Sequence, residues 1–160
     1  DTAVLVRSRW EDFKAQERGG PAAPNTLLGG IPPALPALLR AHQIGIRSSS
    51  VGFDWSKTDA VLDKIQEEVN ELREVVTAAG PADQERAEEE MGDLLFTIAN
   101  LARKLGIEPE TALRKANDKF TRRFETMETA LAGSDRAMKD LSLDELEQQW
   151  QQAKSRQQAT

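Results

Sequence analysis

The sequence predicts an all-α protein, a bundle of amphipathic helices, and three observations predict it. Long stretches of the 160-residue chain consist of Ala, Leu, Glu, Lys, Arg and Gln, with no Tyr, five Phe and three Trp. Straight-chain residues lose little rotamer freedom in a helix, so that mixture favours helix over sheet. Apolar residues recur at helical spacing over three long segments, and Gly80-Pro81, Gly106 and Gly133 stand at the ends of those segments.

Residues 4–18 read as a short helix. Residues 19–35 read as a linker, because Gly19-Gly20-Pro21, Pro24, Gly29-Gly30 and Pro32-Pro33 interrupt any regular element. A helix-like stretch at 36–48 follows, then a loop through Ser48-Ser49-Ser50 and Gly52-Phe53-Asp54-Trp55. Residues 57–78 carry Val61, Leu62, Ile65, Val69, Leu72 and Val76 on one stripe, and residues 83–105 carry Ala87, Met91, Leu94, Leu95, Ile98, Leu101 and Leu105. Residues 109–131 open on Pro109 and carry Leu113, Ala116, Phe120, Phe124, Met127 and Leu131. Ser142 and Asp144 offer caps for a last helix near 143–156 that contains Leu146 and Trp150.

Composition removes several function classes. A formal charge of −6 argues against a broad duplex nucleic-acid footprint, which needs a basic surface. The chain has no Cys, which excludes disulfides, thiolate metal sites and Cys nucleophiles and fits a reducing, cytoplasmic compartment. No apolar run reaches the roughly 18–20 residues that span a bilayer, so no membrane partner is expected. Trp10 and Lys14 near the start echo Trp150 and Lys154 near the end, with the same spacing of one helical turn. On this reading residues 1–18 are the tail helix of a preceding, related domain, and the start on Asp rather than Met agrees with a fragment.

Two carboxylate clusters carry the chemistry: Glu67-Glu68-Val69-Asn70-Glu71 and Glu88-Glu89-Glu90-Met91-Gly92-Asp93. A single EExxE run is more often a solvated helix face. Helix geometry sharpens the test. At about 100° per residue, Glu68 lies about 70° from the centre of its apolar stripe with Glu71 beside it, while Glu67 falls on the far side. Glu90 and Asp93 repeat the i, i+3 spacing, and Glu88 and Glu89 point more to solvent. Two helices packed through their stripes then bring four carboxylates to one seam, where mutual repulsion is relieved by a divalent cation. Hard oxygen donors favour Mg²⁺, with Mn²⁺ as a substitute. A di-iron carboxylate site needs Glu-x-x-His repeats, and the one His, His42, lies outside both clusters and reads as a surface or packing residue.

Basic residues accompany the acids. Lys64 precedes Glu68 by one turn, Arg86 precedes Glu90 by one turn, and Lys119 and Arg123 form an i, i+4 pair beside Phe120 and Phe124. Any one of them alone reads as an intrahelical salt bridge. Together with a metal-binding acid cluster they suit a polyphosphate. Trp150 reads as a packing residue or as a base-stacking lid, and Lys154, one turn on, can reach a phosphate. The chain has neither a Ser-His-Asp set nor a GxxxxGK[ST] loop, which leaves metal-activated water as the economical chemistry.

The segments VGFDW (51–55), DKIQEEVNEL (63–72), EEEMGDLLFTIANLARKLG (88–106) and ALRKANDKFTRRFETME (112–128) closely resemble the MazG family of nucleoside-triphosphate pyrophosphohydrolases. The family pattern, EExxE followed by ExxD, is met by Glu67, Glu68, Glu71, Glu90 and Asp93, with 18 residues between Glu71 and Glu90. The resemblance covers residues 34–156. It implies an all-α fold working as a tight homodimer, with Mg²⁺ held by Glu68, Glu71, Glu90 and Asp93. It implies nucleotide contacts from Lys64 to Glu68, from Arg86 to Glu89, from Lys119 to Arg123, and from Trp150. Arg86 stands where close relatives carry Lys, which keeps the charge and changes the fork geometry.

The implied reaction converts a nucleoside triphosphate and water to the monophosphate and pyrophosphate, with Glu67, Glu68 or Glu71 orienting or deprotonating the water. The implied role is clearance of surplus or non-standard nucleotides. Long family members carry two related domains in tandem, so the expected organisation is a tail helix (1–18), a linker (19–35), a catalytic domain (36–156) and a short tail (157–160). Two other classes compete: a catalytically weak dimerisation or regulatory module of a tandem-domain protein, and a regulator that binds a partner protein through residues 1–36.

Overall fold

A computed structural model describes residues 26–78, 83–134 and 136–158, with side chains through Arg156. The expected tail helix at 4–18 and the first part of the linker lie outside the described residues. Among those described there are five α-helices and no strand: α1 (Ala37–Ser50), α2 (Thr58–Thr77), α3 (Gln84–Lys104), α4 (Pro109–Leu131) and α5 (Leu143–Gln158), with a short 3₁₀ turn at Met138–Asp140. All five helices were expected, with ends within a residue or two. No described helix is long and apolar enough to cross a membrane. The chain divides into two compact units at Gly106/Ile107.

Local chemistry sets the helix ends. The Asp83 carboxylate accepts the Arg86 amide at 3.1 Å and starts α3. The Glu108 carboxylate accepts the amides of Glu110 (3.0 Å) and Thr111 (2.6 Å), and Pro109, which lacks an N–H, fills the first turn of α4. A capping box opens α5: the Glu145 amide donates to Ser142 Oγ at 3.3 Å while Glu145 Oε2 accepts the Ser142 amide at 2.8 Å. Gly106, at φ +70°, turns the chain in the left-handed region beyond α3, where a side chain would be strained.

In the first unit α2 and α3 pack along one another and α1 packs on α3. The end of α3 returns to the entrance of α2: Lys104 Nζ pairs with Asp54 Oδ2 at 2.7 Å and donates to the Trp55 carbonyl at 2.5 Å. The two helices are therefore antiparallel. Arg103 completes the brace, with Nη2 at 2.5 Å from Asp54 Oδ1 and Nε donating to Asn100 Oδ1 at 3.2 Å. Gly45 of α1 meets the same group; a Cβ there would come within 2.8 Å of Arg103 Nε, so only glycine lets α1 approach so closely.

The stretch before α1 is a run of turns, with Gly29 donating to the Thr26 carbonyl (3.1 Å), Ile31 to Leu28 (3.1 Å) and Leu35 to Pro32 (3.3 Å). Ile31 is buried, and Arg47 Nη1 of α1 donates to the Leu27 carbonyl at 3.0 Å. Residues 26–36 are thus attached to α1 by a side chain as well as by the backbone.

In the second unit α4 packs on α5. Phe120 and Trp150 lie with ring centroids 5.0 Å apart, Phe120 and Phe124 stack at 6.0 Å, and Met127 and Ala153 are buried. Arg136 makes a forked pair with Glu145 (2.6 and 3.1 Å), which ties the connection to the start of α5.

Candidate metal and active site

The carboxylates of Glu68 and Glu71 on α2 and Glu90 on α3 converge, each offering an oxygen within 4.8 Å of the others. Antiparallel packing makes this possible: Glu68 stands near the middle of α2, and Glu90 lies two turns inside α3. Glu68 is 3% exposed, so its charge is held inside the helix pair and not on a solvated face. One of its oxygens accepts from Lys64 Nζ at 2.7 Å; the other, Oε2, is buried with no hydrogen-bond partner.

A buried, unpartnered carboxylate oxygen carries a desolvation penalty that some ligand has to offset. His42 Nδ1 is the other such atom among the described residues, and it lies on α1 outside the cluster. The carboxyl of Glu71 hydrogen-bonds with that of Glu90. This contact pushes the Glu71 pKa up, aided by burial and by the nearby Glu68 charge. Hard oxygens this close, one of them orphaned, fit a divalent cation of the Mg²⁺ type.

Not every expected ligand joins. Asp93, one turn beyond Glu90, is exposed and stands outside the three-carboxylate group. Glu67 is also more exposed than Glu68, yet Lys64 reaches it at 2.8 Å and so bridges the pair; the two acids hold the lysine pKa above its ordinary range. Arg86 Nε lies 3.8 Å from Glu90 Oε1, a loose ion pair that leaves the guanidinium half in solvent. Glu88 and Glu89 are exposed, as their helix phase requires. Lys119, Arg123, Trp150 and Lys154 belong to the second unit. There Arg123 lies with its Cζ 5.7 Å from the Trp150 ring centroid, a cation–π contact.

The opposite flank of the helix pair is different in kind. Measured about the α2 axis from Glu68, Lys64 and Glu71 fall about 40–60° to one side, while Val69, Leu72 and Val76 fall about 40–100° to the other. Those three line an open, mostly apolar hollow of about 600 Å³ with Ala87 and Met91 of α3. Val76, Met91, Ile98 and Leu105 are exposed on that flank. The hollow is therefore not the seat of the acid chemistry.

The sequence reading missed the brace of Asp54, Arg103 and Lys104. Its signal was weak: a lone Asp in a loop, and a basic pair 49 residues away. Arg103 and Lys104 together draw the Asp54 carboxyl down to about 2, Arg103 contributing most and burial opposing.

Residues 57–127 match the MazG nucleotide pyrophosphohydrolase domain. The chain is 46% identical over 149 residues to a nucleoside triphosphate pyrophosphohydrolase of Escherichia coli (strain K12), covering 93% of this chain and 56% of that protein. It is 42% identical over 154 residues to the Thermotoga maritima nucleoside triphosphate pyrophosphohydrolase/pyrophosphatase MazG, covering 96% and 57%. The Bacillus subtilis protein YabN, named as uncharacterized, is 35% identical over 149 residues, covering 93% of this chain and 30% of its own. The chain spans a little over half the length of the first two relatives.

Proposed function

This chain belongs to the MazG family, whose domain it carries at residues 57–127, and from that premise we propose that it hydrolyses nucleoside triphosphates to monophosphates and pyrophosphate. The observation that carries the reading is the trio Glu68, Glu71 and Glu90 within 4.8 Å, with Glu68 Oε2 buried and unpartnered. A triphosphate is a fitting substrate because its charge is met jointly by a cation at the carboxylates and by nearby bases.

Glu68, Glu71 and Glu90 would hold Mg²⁺, or Mn²⁺ in its place, and Asp93 would be the fourth ligand, one turn from Glu90. When bound, the cation neutralises phosphate charge and makes water more acidic. Lys64 keeps Glu67 and Glu68 oriented through contacts of 2.8 and 2.7 Å. Glu67, which stands outside the trio and pairs with Lys64, is the carboxylate we propose to orient or deprotonate the attacking water, with Glu68 or Glu71 as the other candidates. Arg86 would meet the phosphates from α3, and Glu89 on the same helix end is proposed only as a nucleotide contact. Lys119, Arg123, Trp150 and Lys154 of the second unit are proposed as nucleotide contacts on the family resemblance.

The exposed apolar flank of α2 and α3 supports a homodimer, because contiguous apolar surface of this kind marks an interface. The physiological role would be control of the nucleotide pool in the cytoplasm.

Product identification tests the reading: purified chain, a deoxynucleoside triphosphate and Mg²⁺ should release monophosphate and pyrophosphate in equal amounts. Release of orthophosphate would make it a phosphatase. No turnover at high enzyme concentration would favour the dimerisation module.

A further inference from the structure

We propose that Asp54 is a positioning residue for the cation site: by gripping Arg103 and Lys104 it sets the axial register of α2 against α3, and so holds Glu68, Glu71 and Glu90 at the spacing that takes a divalent cation. This rests on the reading of the trio as a cation site.

Apolar stripes do not fix register by themselves. On α2, Val61, Ile65, Val69, Leu72 and Val76 recur about once per turn. Sliding the helix by one turn therefore brings apolar groups against apolar groups again, and burial is non-directional. Such a slip moves each side chain by about 5.4 Å, more than the 4.8 Å within which the three carboxylate oxygens lie. A fixed charged contact removes the degeneracy. Asp54 stands just before α2; its Oδ2 receives Lys104 Nζ at 2.7 Å and Arg103 Nη1 at 3.3 Å, and its Oδ1 receives Arg103 Nη2 at 2.5 Å. Lys104 also donates to the Trp55 carbonyl at 2.5 Å, and Asn100, 2% exposed, steadies Arg103 through its Nε. The Arg103 and Lys104 side chains are 12% and 18% exposed, so water competes little with these contacts. From Lys104 back to Glu90 the rise is about 21 Å, and from Thr58 to Glu68 it is about 15 Å. The short steps from Trp55 to Thr58 cover the difference. Clamp and trio are thus two rungs of one antiparallel pair about 20 Å apart, and the first decides whether the second closes.

Mn²⁺ binding to the nucleotide-free full chain, read from the loss of the free ion's paramagnetic resonance signal, tests this. Asp54→Asn should weaken Mn²⁺ binding by about two- to thirty-fold, the range for coupling carried through packed elements. Asp54→Glu, which keeps the charge, should recover most of the affinity. Ser142→Ala, which removes a cap in the second unit, should leave it unchanged. Lys104→Gln keeps the Arg103 contact, so it should act in the same direction and more weakly; it replaces Asp54→Asn if that variant does not fold. A second readout needs no metal. The chain has no Cys, so spin labels at Asp63→Cys and Glu85→Cys, offset along the helix pair, report the register directly. Asp54→Asn should shift or broaden their separation by about 5 Å, one helical turn. Unchanged Mn²⁺ affinity in folded Asp54→Asn, or an equal loss in Ser142→Ala, would overturn the proposal, as would an unchanged label separation. If the unsubstituted chain bound no Mn²⁺, the cation reading would fall, and the label separation alone would decide whether Asp54 sets the register.

Discussion

At Glu68 the protein keeps a carboxylate at 3% exposure with one oxygen paired to Lys64 and the other paired to nothing. A folding unit selected for stability alone would replace it, since a buried charge with an empty lone pair costs more than an apolar group of the same shape. Glu68→Gln should therefore leave the metal-free chain as stable as before or more so, because it removes one charge from a trio of acids. The same change should reduce turnover by at least about 10². Thermal melts with and without Mg²⁺ would show it: the cation should raise the midpoint of the unsubstituted chain and not that of the variant. An unchanged Mg²⁺ response in Glu68→Gln would remove this residue from the ligand set.

Asp54 belongs to the same scale with the opposite sign. Its pKa is lowered to about 2 by Arg103 and Lys104, so the ionised form is the one that stabilises the fold. The contribution is complete above the unfolded value near 3.8 and is lost as pH falls through about 2. After discounting for solvent screening it amounts to about 1 kcal/mol. Asp54→Asn should cost a similar amount at pH 7 in urea titrations and clearly less at pH 2; an equal cost at both would mean the brace is not electrostatic.

Between helices, two positions decide how the first unit closes. A Cβ at Gly45 would lie within 2.8 Å of Arg103 Nε, so Gly45→Ala must push α1 off α3 or displace the arginine from Asp54. We expect a loss of about 1–3 kcal/mol, the cost of overpacking. In the second unit the Ser142/Glu145 box caps α5, and Ser142→Ala should cost about 1 kcal/mol and increase fraying at the start of that helix, read by amide hydrogen exchange.

These cases also show what was legible in advance. Helix ends were readable because caps and breakers act within three or four residues: Pro109, Ser142 and Gly106 carry their own instructions. The i, i+3 carboxylate pairs were readable for the same reason. Contacts across the fold were not. That Asp54 would meet Arg103, or Phe120 meet Trp150, depends on how helices dock, and helical phase alone is silent about docking. Asp93 illustrates the limit: its phase matches that of Glu90 closely enough to predict a shared seam, yet it lies outside the trio.

Among the described residues, few apolar side chains are buried and many are exposed, among them Leu62, Val76, Met91, Ile98 and Leu105. A stripe of that length on the flank away from the carboxylates is the surface that the proposed homodimer would use. Met91→Asp and Ile98→Asp together should shift the chain from dimer toward monomer in light scattering on a sizing column, with helix content by circular dichroism retained. A chain that is monomeric before substitution would remove the dimer from the proposed function and leave the acid site untouched.

The bond from Arg47 to the Leu27 carbonyl, with Ile31 tucked beneath, has a consequence for anything joined upstream. With the ten residues from Thr26 to Leu35 fastened to the body of the unit, this stretch, up to about 30 Å if it were extended, gives no slack between α1 and whatever is joined before it.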